Sequence, residues 1–148
     1  MKVLDSVGMV LKEKGGQIWF IDPAATVYEA LEVMADKGVG ALLVMQGSKL
    51  LGVISERDYA RKIILTGRSS KTTRVSEIMS SPARTINMDT TVDDAMHIMT
   101  NNRIRHLPVM DGDGNVAGVV SLGDLVKWTI TSHEQTIEQL ESYISGSR

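Results

Sequence analysis

Apolar positions recur twice along this chain in one arrangement: a stripe at helical spacing, then two short apolar runs joined by a glycine turn. In the first copy, Val27, Ala30, Leu31 and Met34 share one helix face behind Thr26 and Glu29, an N-terminal capping box. In the second, Val92, Ala95, Met96 and Met99 do the same behind Thr91 and Asp94. Gly38 ends the first of these helices. The runs ALLVMQ and KLLGVIS flank Gly47-Ser48, and RHLPVMD and NVAGVVS flank Gly112-Asp113-Gly114, which predicts two hairpins. A further helix starts at Ser55 and another at Ser121, each serine placed as an N-cap. With strands at Ile21 and Ile86, each copy reads strand, helix, strand, strand, helix.

The match is in register. Thr26/Thr91, Val27/Val92, Ala30/Ala95, Met34/Met99, Leu42/Leu107 and Val44/Val109 pair before the turn, and Gly52/Gly118, Val53/Val119, Ser55/Ser121 and Asp58/Asp124 after it. The chain is an internal duplication. A three-stranded sheet of this size cannot bury both faces alone. The expected fold is therefore α/β (α+β), with two β-α-β-β-α units packed sheet to sheet about a pseudo-twofold axis that creates two related clefts. The expected units are an N-terminal helix at 1–16, repeat 1 at 17–66, a solvated linker at 67–74, repeat 2 at 75–131, and a C-terminal helix and tail at 132–148. The stripes Val3, Leu4, Val7, Val10, Leu11 and Ile137, Leu140, Ile144 fall outside the repeat, as helices that cover the module or pack on another subunit.

Composition narrows the function classes. A net charge of −2 argues against nucleic acid and anionic membrane as partners. With 0 cysteines there is no thiolate metal site and no thiol nucleophile. No apolar run approaches a membrane span, and MKVLDSVGMVLKEKGG lacks the apolar stretch of a signal peptide. The cytoplasm is the expected location.

The sharpest chemistry is Gly52-Val53-Ile54-Ser55-Glu56-Arg57-Asp58, repeated as Gly118-Val119-Val120-Ser121-Leu122-Gly123-Asp124. In both, a buried strand ends at a serine and an aspartate follows on the first helical turn. Such a turn offers free N–H groups and partial positive charge to a phosphate, with the serine hydroxyl as a further donor. The aspartate offers acceptors to the two hydroxyls of a ribose, and Gly52 and Gly118 leave room for a close approach to the backbone. The same Ser-x-x-Asp is also an ordinary capping motif, and both roles can coexist.

Other constellations carry less. Asp111-Gly-Asp113-Gly-Asn115 lacks the later glycine and glutamate of a calcium loop and reads as a hairpin turn. Gly67-Arg-Ser-Ser-Lys71-Thr72 lacks the glycine before lysine of a P-loop. His97, His106 and His133 are not spaced as metal ligands. No nucleophile elbow accompanies Ser55 or Ser121, and Met34, Met45, Met99 and Met110 lie on core faces.

From about Gln17 to Ile130 the chain resembles a tandem pair of cystathionine-β-synthase (CBS) domains, a Bateman module. The resemblance rests on Thr-Val at the first helix of each copy, Leu107-Pro108-Val109, and the twice-present Gly-h-h-Ser-x-x-Asp, where h is hydrophobic; Leu43 departs from the usual proline. It implies a non-catalytic regulatory module that binds AMP, ADP, ATP or NAD without a metal, works as a disc-like homodimer, and signals to an unknown regulated partner. Carried over residue by residue, it groups Ser55, Arg57 and Asp58 with Arg84, Ile104, Arg105 and His106 in one cleft. The other cleft would join Ser121, Gly123 and Asp124 to Gln17, Ile18, Trp19, Val39, Gly40 and Ala41. Phosphate-holding charge is thereby expected in the Asp58 cleft, while Trp19 could equally stack on adenine or fill the interface. A ligand-free scaffold with the same fold is the alternative, and an enzyme finds no catalytic constellation.

Overall fold

Both hairpins form where the glycine turns place them, and each closes a three-stranded sheet. The computed structural model describes residues 4–145; Val3 lies outside them, as do the side chains of Leu140 and Ile144. Helix α1 (Val7–Lys14) precedes the first copy, which runs β1 (Phe20–Ile21), α2 (Val27–Lys37), β2 (Ala41–Gln46), β3 (Lys49–Ser55) and α3 (Glu56–Tyr59), continued by a π-helical turn at Ala60–Ile64. A short α4 (Val75–Ile78) leads to β4 (Ile86–Asn87), α5 (Val92–Asn102), β5 (His106–Met110), β6 (Val116–Ser121) and α6 (Leu122–Ser145). The sheets are ordered β1-β2-β3 and β4-β5-β6, each with a parallel first pair and an antiparallel hairpin. The hairpins share an irregularity at the same place, between Val44 and Met45 and between Val109 and Met110.

Each copy has its own core. Val27, Ala30 and Met34 of α2 pack on Leu42, Val44 and Ile54; Val92, Ala95 and Met99 of α5 pack on Leu107, Val109 and Val120. These are the helix stripes and alternate strand positions of the sequence pattern. Leu43 and Pro108, which alternation turns to the opposite faces, are buried as well. Thr26 makes the full capping box with Glu29, and Thr91 caps Asp94 N–H at 3.1 Å.

The segment ahead of each copy docks on the other copy. Val7, Val10 and Leu11 of α1 belong to the core of the second repeat, and Val75 and Ile78 of α4 to that of the first. The exchange is reciprocal bond for bond. Val7 N–H donates to Thr90 O and Val92 N–H to Asp5 O; Val75 N–H donates to Ala25 O and Val27 N–H to Thr73 O, all at 2.8 Å. Helix α1 is therefore the counterpart of α4 and part of the duplicated unit, not a piece outside it. The linker is exposed at most of its positions, as expected, while Thr73 is buried and Ser70 O accepts from Tyr28 N–H.

This docking uses the two motif glycines. A Cβ on Gly52 would sit 2.5 Å from Ser80 O, and one on Gly118 would sit 2.9 Å from Leu11 Cδ2. The close approach expected at both glycines is made by the chain itself. Helix α6 also differs from expectation: the second repeat and the C-terminal helix are one unbroken helix of 24 residues, because after Gly123 in its first turn no glycine or proline interrupts it.

Candidate functional site

Both Ser-x-x-Asp motifs fold as capping boxes. Ser55 Oγ accepts from Asp58 N–H at 3.2 Å while Asp58 Oδ2 accepts from Ser55 N–H at 3.0 Å. Ser121 and Asp124 repeat this at 3.1 and 2.8 Å. The remaining capacity of each carboxylate separates the copies. Asp58 Oδ1 faces Lys62 Nζ at 3.3 Å and accepts from Ser80 Oγ at 3.5 Å, so both its oxygens are engaged. Asp124 meets Lys14 Nζ at 2.6 Å through Oδ2, the oxygen already used by the cap, leaving Oδ1 without a partner among the described residues. Its side chain is also the more exposed, 25% against 13% for Asp58.

Beside Ser121 a cavity of about 590 Å³ opens, lined by Arg105, His106, Ser121, Leu122 and Gly123 and by the α6 side chains Val126, Lys127, Ile130 and Thr131. It holds the start of α6, where the first N–H groups have no intrahelical acceptor. Arg105 O takes Leu122 N–H at 2.8 Å and Ser121 Oγ takes Asp124 N–H. Gly123 N–H, in the cavity wall, has no partner among the described residues. Arg105 and Lys127 are exposed cations on this cavity, and Lys14 stands on the nearby carboxylate. A helix start with two cations can hold a phosphate, and a carboxylate oxygen close by can accept from a diol.

The structure regroups the expected site residues. Arg105 and His106 stand with Ser121 and Gly123 on one cavity, and Gly40 and Ala41 stand beside Glu56 and Ser55. The cause is hairpin register: the start of the first strand pairs with the end of the second, as in Ala41↔Ser55 and His106↔Ser121. Gly40 O accordingly accepts from Glu56 N–H at 3.0 Å. The copies meet where a Cβ on Gly40 would lie 3.8 Å from His106 Cε1. Arg57 Nη1 donates to Arg103 O across the copies at 2.7 Å. Trp19 packs on the first core under Lys37, whose Nζ is 4.7 Å from the ring. Ile104 packs on the second core, Ile18 is half-buried, and Gln17 and Arg84 are exposed. Sequence reasoning missed Lys14, which reaches Asp124 from another element and also donates to Val119 O at 2.8 Å.

Two groups here titrate away from their ordinary values. Burial, with Lys14 and Arg105 nearby, lowers His106 against an upward pull from Asp124, so folding favours the neutral imidazole. Burial acts to raise Asp124, but the hydrogen bonds from Lys14 and Ser121 outweigh it and leave its carboxyl below the ordinary range. The unfolded chain takes up the His106 proton near its ordinary 6.5, before the folded chain does. Stability is thus fully present above that pH and declines as pH falls through the lower folded value. The Asp124 contribution is present above 3.8 and is lost only as pH falls through its depressed folded value. Denaturant midpoints measured from pH 7.5 to 5 should decline in the wild type, and His106→Gln should flatten that slope.

Among the described residues no helix is long and apolar enough to cross a membrane, and no cluster of three or more His, Asp or Glu could hold a metal. The CBS domain family model matches residues 16–65 and 75–130. The chain is 41% identical over 150 residues to the mitochondrial CBS domain-containing protein CBSX3 of Arabidopsis thaliana, covering 95% of this chain and 72% of that one. It is 36% identical over 109 residues to the CBS domain-containing protein YhcV of Bacillus subtilis, covering 74% and 76%. The solved structure of a putative signal-transduction protein with CBS domains from Burkholderia ambifaria superposes with a TM-score of 0.82 at 46% identity, covering 85% of this chain and 94% of that one. CBS pairs are regulatory modules, and with its two repeats, exchanged leading helices and twin Ser-x-x-Asp caps this chain belongs to the CBS domain family.

Proposed function

We propose that the chain is a non-catalytic sensor whose second repeat binds an adenosine nucleotide (AMP, ADP, ATP or NAD) and passes its occupancy to a partner protein. The observation that carries this reading is the cavity at the start of α6, lined by Arg105, Lys127 and Gly123, whose N–H has no partner among the described residues, with Asp124 and its one open oxygen the next residue of the helix. Phosphate would lie against Arg105, Lys127 and the helix start, and the ribose hydroxyls would donate to Asp124 Oδ1. The Asp58 site is the weaker candidate, because Lys62 and Ser80 occupy its carboxylate and Arg57 is turned to Arg103.

Lys14 gives the site an output. Its ammonium neutralises Asp124 through Oδ2, so a diol that spans both oxygens of the carboxylate competes with it. The lysine ends α1, followed by Gly15 at φ 98°, and α1 lies on the second core. Nucleotide that loosens Lys14 would shift the equilibrium between two settings of this helix end, and a partner with different affinity for them would read the change.

Thermal shift with AMP, ATP and NAD tests the reading. Each ligand that binds should raise the midpoint, and Lys14→Met, which frees the carboxylate, should increase the shift and lower the Kd several-fold. Flat midpoints with all three nucleotides would oppose the sensor and favour a ligand-free scaffold.

A further inference from the structure

Helix α6 is longer than the body that supports it. It packs on β6, α1 and α5. Leu125 lies in the second core, and Trp128 Nε1 donates to Asp5 Oδ2 at 2.9 Å. Beyond His133 every side chain the structure describes (Glu134, Gln135, Ile137, Glu138 and Glu141) is exposed, yet the helix continues to Ser145. A helical arm of about a dozen residues without packing is marginal in water.

The sequence supplies a seam for this arm. Val126, Ile130, His133, Ile137, Leu140 and Ile144 follow one another at spacings of 4, 3, 4, 3 and 4, a continuous heptad pattern. Isoleucine holds every a position, the residue that parallel pairs favour there, and the d positions are Val126, His133 and Leu140, of which the leucine is the favoured choice. Val126, Ile130 and Ile137 are 39%, 53% and 54% exposed. We propose that the C-terminal half of α6 pairs with the same helix of a second copy of this chain as a parallel two-stranded coiled coil. Charge agrees: parallel pairing sets Glu134 and Glu141 opposite Thr129 and Thr136 of the other helix, so no like charges meet across the seam. Such a pair is self-complementary and closes on itself. His133 is the polar residue of the seam, and its Nε2 is buried with no hydrogen-bond partner within the chain. Val126 and Ile130 also line the cavity at the start of α6, so the second helix would border that cavity.

Because the chain has no cysteine, single cysteines report the pairing directly. Ile137→Cys in the full chain, under mild oxidation, should form a disulfide dimer almost completely, since equivalent a positions face each other in a parallel coil. Gln135→Cys, on the opposite side of the helix, should stay monomeric on a non-reducing gel. Ile130→Cys repeats the test one heptad earlier, and circular dichroism checks that each variant is folded. Folded Ile137→Cys and Ile130→Cys proteins that cross-link no faster than Gln135→Cys would overturn the proposal, whether the chain is then monomeric, antiparallel or paired through another face.

Discussion

Arg105→Ala should weaken AMP or ATP binding by about ten- to a hundredfold while leaving the fold intact. A hydrogen bond to a charged group contributes about 1.5–3 kcal/mol, and each 1.4 kcal/mol is about tenfold in Kd. The side chain is exposed and its own backbone carbonyl, not its guanidinium, holds Leu122 N–H, so truncation removes charge without removing packing. Its counterpart in the first copy is Gly40, which concentrates the effect in one site. Arg57→Ala is the matched control: Arg57 bridges to Arg103 O and not to the cavity, so it should leave affinity within about twofold. Calorimetric titration of both variants reads the contrast, and equal losses would move the phosphate site away from the second repeat.

The second large effect is on stability. A methyl group on Gly52 would stand 2.5 Å from the backbone oxygen of Ser80, and Ser80 is tied to Val53 by two hydrogen bonds of 2.9 and 3.1 Å. Backbone held on both sides cannot yield cheaply, so Gly52→Ala should lose at least the ~1–3 kcal/mol typical of overpacking. Gly118→Ala meets the end of the Leu11 side chain at 2.9 Å, which can rotate, so its loss should be the smaller. Urea unfolding of the two variants compares them under one set of conditions. The order would reverse only if α4 and its following strand-like segment could slide off β3 more easily than Leu11 can turn.

The chain is legible where local rules act alone. Glycine turns fixed both hairpins, and the stripes behind Thr26 and Thr91 are the faces that α2 and α5 bury. Relations between distant segments were harder to see. Nothing in Asp5–Leu11 beyond Val7 repeats the identity of Thr73–Met79, so the reciprocal docking of α1 and α4 shows only in their matching hydrogen bonds. Lys14 reaches Asp124 across 110 positions, and no spacing rule announces such a pair. The grouping of Arg105 and His106 with Ser121 was within reach, because antiparallel register pairs the two ends of a hairpin. The break placed before residue 132 had no glycine or proline to cause it.

We have proposed a nucleotide site, governed by Asp124, in the cavity at the start of α6. Isothermal titration of the wild-type chain with AMP, ATP and NAD measures it directly. A saturable isotherm is expected for at least one of them, with one tight site per chain. No heat and no saturation with any of the three up to about 1 mM, equivalent to binding weaker than about 4 kcal/mol, would contradict it and leave a duplicated scaffold whose carboxylates only cap their helices.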